Sequence, residues 1–110
     1  MLYIPAPIEE APEVVLSQWT VYQLPDGDHH FVGYNLLEGA GRVSSKIVAF
    51  NKDTMIGTTR SGRIYKLQGE PGTSMQAVYV WNAWLNFNDI AGPLCTDVSD
   101  QYFVEQEDSE

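Results

Sequence analysis

Two segments rich in β-branched and aromatic residues, 14–24 and 29–37, lie on either side of a Pro-Asp-Gly-Asp linker. The proline sets φ near the value that a tight turn needs, and Gly27 tolerates a positive φ. Strands joined by so short a turn pair antiparallel. The sequence therefore predicts a β-hairpin, and this hairpin favours a fold built on an antiparallel sheet.

Side chains alternate between the two faces of a strand, and both faces of the first strand carry apolar residues. The alternation predicts one face with Val15, Trp19 and Val21, and a second face with Leu16, Tyr22 and Leu24. The first strand is therefore expected to have apolar cover on both sides for part of its length.

A third strand and a second hairpin follow between residues 42 and 68. In the third strand, Arg42, Ser44 and Lys46 share a face that we expect to be solvated. In the hairpin, Ser61-Gly62 fits a two-residue loop, which would pair Arg60 with Arg63 and Thr58 with Tyr65. That register predicts one hairpin face with two guanidiniums at its tip and Tyr65 behind them.

Helical signals appear after residue 72. Thr73 and Gln76 have the spacing of a capping box, with Thr73 as the N-cap. A single helical face collects the apolar residues Ala77, Val80, Trp81, Trp84 and Leu85. The run AVYVW alone would also suit a strand, but the cap and the spacing favour a helix over 74–88. A last short strand is predicted around residues 102–104.

These elements predict one small α+β domain in the 110 residues. We expect a mainly antiparallel sheet of five or six strands, connected as a hairpin meander, with one amphipathic helix packed on one face. A proline-containing N-terminal arm is assigned to residues 1–13, the domain to 14–104 and an acidic C-terminal tail to 105–110.

Charge is distributed unevenly along the chain, which has a net charge of −9. All six lysines and arginines lie in residues 42–66, which we call the basic segment, while the flanking regions are acidic. Like charges opposed in a hairpin are unfavourable unless an anion lies between them. We therefore predict that the basic segment binds an anionic partner, and the candidate binding residues are Arg42, Lys46, Arg60, Arg63, Tyr65 and Lys66. The alternative is that the arginines only keep the hairpin tip soluble or protect an edge strand against aggregation.

Three functions agree with this pattern. The first is a small protein-interaction module, of the regulator or inhibitor type, that uses the basic hairpin face against the acidic surface of a protein partner. The second is an anion or nucleic-acid binder that uses the whole basic segment, with Tyr65 as a stacking platform. Fifteen carboxylates against six cations argue against nucleic acid. The third is an acidic mimic of nucleic acid that blocks a basic protein.

Metal, cofactor and catalytic signals are weak in this sequence. His29 and His30 are candidate metal ligands, but neighbours in a strand point to opposite faces, so we predict no metal and no cofactor. Cys95 lies near Asp97 without any of the known nucleophile motifs, so we predict no enzyme activity. A basic hairpin and acidic segments in one chain also favour a homodimer.

Location is predicted from what the sequence lacks. The single cysteine cannot form an internal disulfide, which favours the reducing cytoplasm. The first ten residues have neither the basic start nor the apolar run of a signal peptide. No uncharged apolar run approaches the roughly 20 residues of a membrane-spanning helix, so we predict no membrane association.

Overall fold

A computed structural model describes residues 13–104. Within this range the chain forms six strands and one α-helix, which confirms the predicted α+β class. The elements are β1 (Glu13–Gln23), β2 (His29–Asn35), β3 (Ala40–Asn51), β4 (Ile56–Thr59), β5 (Ile64–Leu67), α1 (Met75–Phe87) and β6 (Thr96–Asp97), with short 3₁₀ helices at Gly92–Leu94 and Ser99–Gln101. The predicted tail, and the predicted arm apart from Glu13, lie outside the described residues. No helix within 13–104 has the length and apolar content needed to cross a membrane.

The first five strands form a meander that closes on itself. Each strand pairs antiparallel with the next, and the start of β1 also pairs with β5. A closed ring with an odd number of strands must contain one parallel pair, and β1–β5 is that pair. The short β6 extends the sheet by pairing antiparallel with the end of β1.

The predicted first hairpin is confirmed, because β1 and β2 pair along residues 16–23 and 29–35. Gly27 has a φ of +95°, as the turn requires. The predicted division of β1 into faces is wrong because a β-bulge interrupts the strand. Gln18, at φ +46°, adds one residue to β1 opposite Gly33. Leu16 therefore joins Trp19 and Val21 in the core inside the ring.

The register predicted for the second hairpin is also wrong. Gly57 lies opposite Tyr65 and Thr58 opposite Ile64. The loop therefore has three residues, 60–62, and it is closed by a 3.0 Å hydrogen bond from Thr59 N to Arg63 O. A two-residue primed turn at Ser61-Gly62 would need a positive φ at Ser61, whereas the three-residue loop needs one only at Gly62, whose φ is +89°.

The predicted helix is confirmed, and it packs outside the ring over β2 and β3. Its buried residues are Ala77, Trp81 and Leu85, which form a second core with Leu24 and Val32. The N-cap is Ser74 instead of the predicted Thr73, and its Oγ accepts a 3.0 Å hydrogen bond from Ala77 N.

The last strand also differs from the prediction. It lies at Thr96–Asp97 instead of around 102–104. Tyr102 and Phe103 instead pack as half-buried side chains against the core inside the ring. Aromatic residues are common in strands, but here the rings of Tyr102 and Phe103 pack against Phe50 and Trp19, respectively.

Candidate binding site

Three of the predicted binding residues are buried together against the core. Arg42 and Arg63 are each 7% exposed and Tyr65 is 2% exposed. The Arg42 Nε donates a 2.8 Å hydrogen bond to the Tyr65 hydroxyl. Burial raises the pKa of Tyr65, and the two guanidiniums only partly offset this effect. These side chains form a buried polar cluster, so the expectation that Arg42 and Ser44 lie on a solvated face is wrong.

The other three predicted residues are exposed, and the structure brings two of them together. The Arg60 backbone N–H donates a 2.8 Å hydrogen bond to the Lys46 carbonyl, so the β4–β5 loop lies beside β3. Lys66 lies on β5 opposite Val15 and Ile56 and takes no part in this arrangement. The predicted set of six therefore divides into a buried cluster, an exposed pair and a separate lysine.

Lys46 and Arg60 line an open pocket of about 500 Å³. The pocket lies where β3, the start of β2, the β4–β5 loop and α1 meet. Its lining consists of Asp28, His30, Val43, Ser44, Ser45, Lys46, Arg60, Ser61 and Trp84. A volume of this size is within the range of small-molecule and side-chain binding pockets. We call it the basic pocket.

A second β-bulge shapes the basic pocket. The β2–β3 pairing passes from His30–Lys46 to Val32–Val43, so Ser44 and Ser45 together oppose Phe31. The Ser44 hydroxyl compensates for the disrupted pairing by accepting a 2.9 Å hydrogen bond from Phe31 N. Bulges of this kind turn a strand and re-aim its side chains, and they are frequent beside binding sites.

The second serine of the bulge holds the β4–β5 loop in place. Ser45 Oγ accepts a hydrogen bond from Ser61 N and donates one to Ser61 Oγ, both at 3.2 Å. Together with the backbone bond from Arg60 to Lys46, these contacts fix the loop on β3. The loop that carries Arg60 is therefore positioned by three hydrogen bonds, and two hydroxyl groups lie at the pocket wall.

The charges in the basic pocket do not balance. Lys46 Nζ lies 3.3 Å from Asp28 Oδ1, so these two charges partly cancel. Arg60 makes no ion pair with any residue of the described range. An anion entering the pocket therefore meets the uncompensated Arg60 guanidinium and a Lys46 ammonium that it shares with Asp28.

Aromatic rings form the remaining wall. Tyr22, Trp81 and Trp84 are stacked nearly parallel, with centroid separations of 4.5 and 5.5 Å and interplanar angles of 8° and 11°. Trp84 is the member of this stack that reaches the basic pocket. The His30 ring lies 5.0 Å from Trp84, and its Nδ1 is 2.8 Å from the Ser44 carbonyl. Because a carbonyl only accepts hydrogen bonds, Nδ1 carries the proton.

His29 and His30 do not converge on a metal site. His29 contacts the Tyr102 hydroxyl at 2.6 Å and Gln23 Oε1 at 3.1 Å, whereas His30 bonds to Ser44. Across residues 13–104, no three His, Cys, Asp or Glu side chains are grouped so that they could hold an ion.

Several pocket residues were not predicted from the sequence. Ser45, Ser61 and Asp28 carry no motif, and Trp84 was assigned to the core because of its helical spacing. The sequence does place Ser44 and Ser45 next to Lys46, but only the β-bulge at these two serines brings them to the pocket, and the sequence alone does not show the bulge. Comparison of the chain with protein-family models, curated proteins and solved structures gave no match.

Proposed function

We propose that this protein is a small interaction module that binds an acidic segment of a protein partner, with an anionic group of that segment held between Lys46 and Arg60. One observation carries the proposal: the two exposed cations meet at a pocket on a chain whose net charge is −9. An acidic partner is repelled by the rest of this chain and attracted at the basic pocket, which favours one binding orientation.

The contacts around the pocket support recognition of an anion by a preformed site. The loop carrying Arg60 is already fixed on β3 by Ser45 and Lys46, so binding does not need to order it. Because exposed charge pairs contribute little to folding, charge substitutions at the pocket are suited to separating binding from stability.

A catalytic role has less support. Burial raises the pKa of the Cys95 thiol, which lowers the fraction of reactive thiolate. Cys95 packs against the core beneath α1, whereas His29 and His30 are engaged in hydrogen bonds elsewhere. We therefore propose a binding role without catalysis, and we assign the protein to the cytoplasm because of its single cysteine.

Binding of nucleic acid along the basic segment has less support for a geometric reason. Two of the six cations, Arg42 and Arg63, are buried, and Lys66 is separate from the Lys46–Arg60 pair. Binding to a phosphate backbone needs several aligned cations. The exposed cations of this chain instead favour a single anionic group.

The test is a charge reversal with a matched control. Lys46→Glu/Arg60→Glu is compared with Lys52→Glu/Lys66→Glu, which changes the net charge equally at exposed positions outside the pocket. Binding of an array of acidic peptides is measured by fluorescence anisotropy. We expect the pocket variant to lose about ten-fold or more in affinity and the control to lose much less.

Equal losses in the two variants would overturn the proposal, because they would show that only the net charge matters. Circular dichroism and thermal melting verify that both variants fold. Light scattering at high protein concentration and low salt identifies the partner as a second copy if the wild type forms dimers and the pocket variant does not. A monomer under those conditions would exclude the predicted homodimer.

A further inference from the structure

We propose that the group bound in the basic pocket is a phosphate carried on a planar aromatic ring. This inference rests on the proposed function for the anion contact and adds the chemical class of the ligand. The aromatic part is inferred from the stack of Tyr22, Trp81 and Trp84, and the phosphate from the arrangement of charges around Lys46.

The stack of rings ends at the basic pocket. Tyr22 contacts Trp81 beneath the helix, Trp81 contacts Trp84, and Trp84 lines the pocket. Trp81 covers one face of Trp84 and the His30 ring lies 5.0 Å away at an angle of 54°, so a ligand ring can meet Trp84 only at the part of the indole that lines the pocket. Aromatic pairs favour offset stacking or edge-to-face contact with centroids about 4.5–7 Å apart. A ring of the ligand would therefore make an offset or edge-to-face contact with Trp84 at the pocket wall.

The ion pair between Lys46 and Asp28 favours phosphate over carboxylate as the bound anion. Because Asp28 already lies 3.3 Å from Lys46 Nζ, an incoming anion has to compete with a carboxylate for this ammonium group. A phosphate monoester carries a charge of about −1.5 to −2 near neutral pH and has three acceptor oxygens, so it competes better than a single carboxylate. Arg60 supplies further donors from the β4–β5 loop, which lies beside Lys46.

The volume and composition of the basic pocket agree with such a ligand. About 500 Å³ accommodates one aromatic ring with its phosphate, and the opening allows the ring to be either free or attached to a peptide. The same chemistry is offered by a small aryl phosphate and by the phosphotyrosine side chain of a protein partner. The experiment below separates these two sources.

Tryptophan fluorescence reports directly on this site. Trp19 is fully buried and Trp81 is 7% exposed, whereas Trp84 is half-buried at the pocket wall. Quenching by a ligand that stacks in the pocket therefore comes mainly from Trp84. The probes are phenyl phosphate, inorganic phosphate and phenol, titrated into the wild-type chain by fluorescence and calorimetry.

We expect phenyl phosphate to bind about ten-fold more tightly than either inorganic phosphate or phenol, because only phenyl phosphate makes both contacts. Trp84→Leu should reduce phenyl phosphate binding to the level of inorganic phosphate and leave inorganic phosphate binding unchanged. Trp84→Phe, which keeps a ring, should retain most of the affinity. Lys46→Gln/Arg60→Gln should abolish the preference for phenyl phosphate over phenol, and Lys66→Gln should not.

The possible failures are distinguishable. If phenyl phosphate binds no better than inorganic phosphate while both require Lys46 and Arg60, the aromatic inference is wrong and the proposed function stands. If Lys46→Gln/Arg60→Gln binds phenyl phosphate like the wild type, both proposals are wrong. Since Trp84 packs on Trp81, melting of each variant is recorded, and Trp84→Phe provides the test if Trp84→Leu does not fold.

A second titration identifies the source of the ring. A phosphotyrosine peptide is compared with the same peptide carrying tyrosine and with phenyl phosphate. Tighter binding of the phosphopeptide than of phenyl phosphate would identify a phosphorylated protein partner. Equal or weaker binding would identify a free aryl phosphate. A peptide carrying unmodified tyrosine that binds as well as the phosphopeptide would overturn the assignment of phosphate.

Discussion

Replacing Gly41 by alanine should destabilise the packing of α1 on β3. A Cβ at this position would lie 2.2 Å from Gln76 O and 2.9 Å from Ala77 Cα, both in the helix backbone. The helix would have to retreat by about 1 Å to relieve this contact. Because the obstacle is backbone, no side-chain rotation can provide the space.

The cost follows from the contacts that this retreat would open. Burial of Trp81 and Leu85 contributes about 3–6 kcal/mol in total. A gap of about 1 Å removes roughly a quarter to a half of the dispersion energy of such contacts. The expected loss of unfolding free energy is therefore about 1–3 kcal/mol, which is also the usual cost of overpacking a core. In a domain of this size, a loss of about 2 kcal/mol lowers the Tm by about 10 °C.

Urea denaturation followed by circular dichroism measures this loss, and Gly72→Ala is the matched control. A Cβ at Gly72 would have its nearest neighbour at 3.7 Å, an ordinary van der Waals contact, so its unfolding free energy should change by less than about 0.5 kcal/mol. Trp84 should also become more exposed in Gly41→Ala, which shifts its emission to the red. If Gly41→Ala and Gly72→Ala have the same unfolding free energy, the close packing of α1 on β3 is refuted.

Three further predictions concern local interactions. Ser74→Ala should cost about 1 kcal/mol of unfolding free energy and Thr73→Ala much less, since Ser74 Oγ caps the helix; equal effects in denaturation would contradict this assignment. Tyr65→Phe should cost about 1–3 kcal/mol by leaving the buried Arg42 Nε without this acceptor, and a neutral effect would show that the hydrogen bond is dispensable. Because burial raises the pKa of Tyr65 in the folded protein, the unfolded chain loses this proton at a lower pH than the folded chain does. The contribution of Tyr65 to stability should therefore be complete below about pH 10 and fall as the pH rises further. Urea denaturation across that pH range measures this fall, which should be less steep in Tyr65→Phe.

The local elements of this fold are predictable from the sequence because their signals are local. The first hairpin depends on the Pro-Asp-Gly-Asp turn, and the helix depends on the spacing of Ala77, Trp81 and Leu85. Both features are fixed within a few residues of the chain. The α+β class follows from them, since a helix with one apolar face must bury that face against another element, and the other predicted elements are strands.

The pairing register was not predictable in the same way. The bulges at Gln18 and at Ser44–Ser45 depend on what the partner strand accommodates, such as Gly33 opposite the first bulge. Each bulge changes which residues share a face beyond that point. Simple alternation therefore assigned Leu16 to the wrong face and Ser44 to solvent.

The bulge at Ser44–Ser45 and the three-residue loop, which simple alternation does not predict, also produce the basic pocket. With a two-residue loop at Ser61-Gly62, Arg60 would have paired with Arg63 and continued the ladder as a strand residue. The three-residue loop removes Arg60 from the ladder, while the bulge gives Ser45 a hydroxyl contact that holds the loop beside Lys46. The same loop places Arg63 opposite Thr59, where it is buried with Tyr65. One extra residue in the loop thus separates the buried Arg63 from the exposed Arg60, and of these two arginines it is Arg60 that lines the basic pocket beside Lys46.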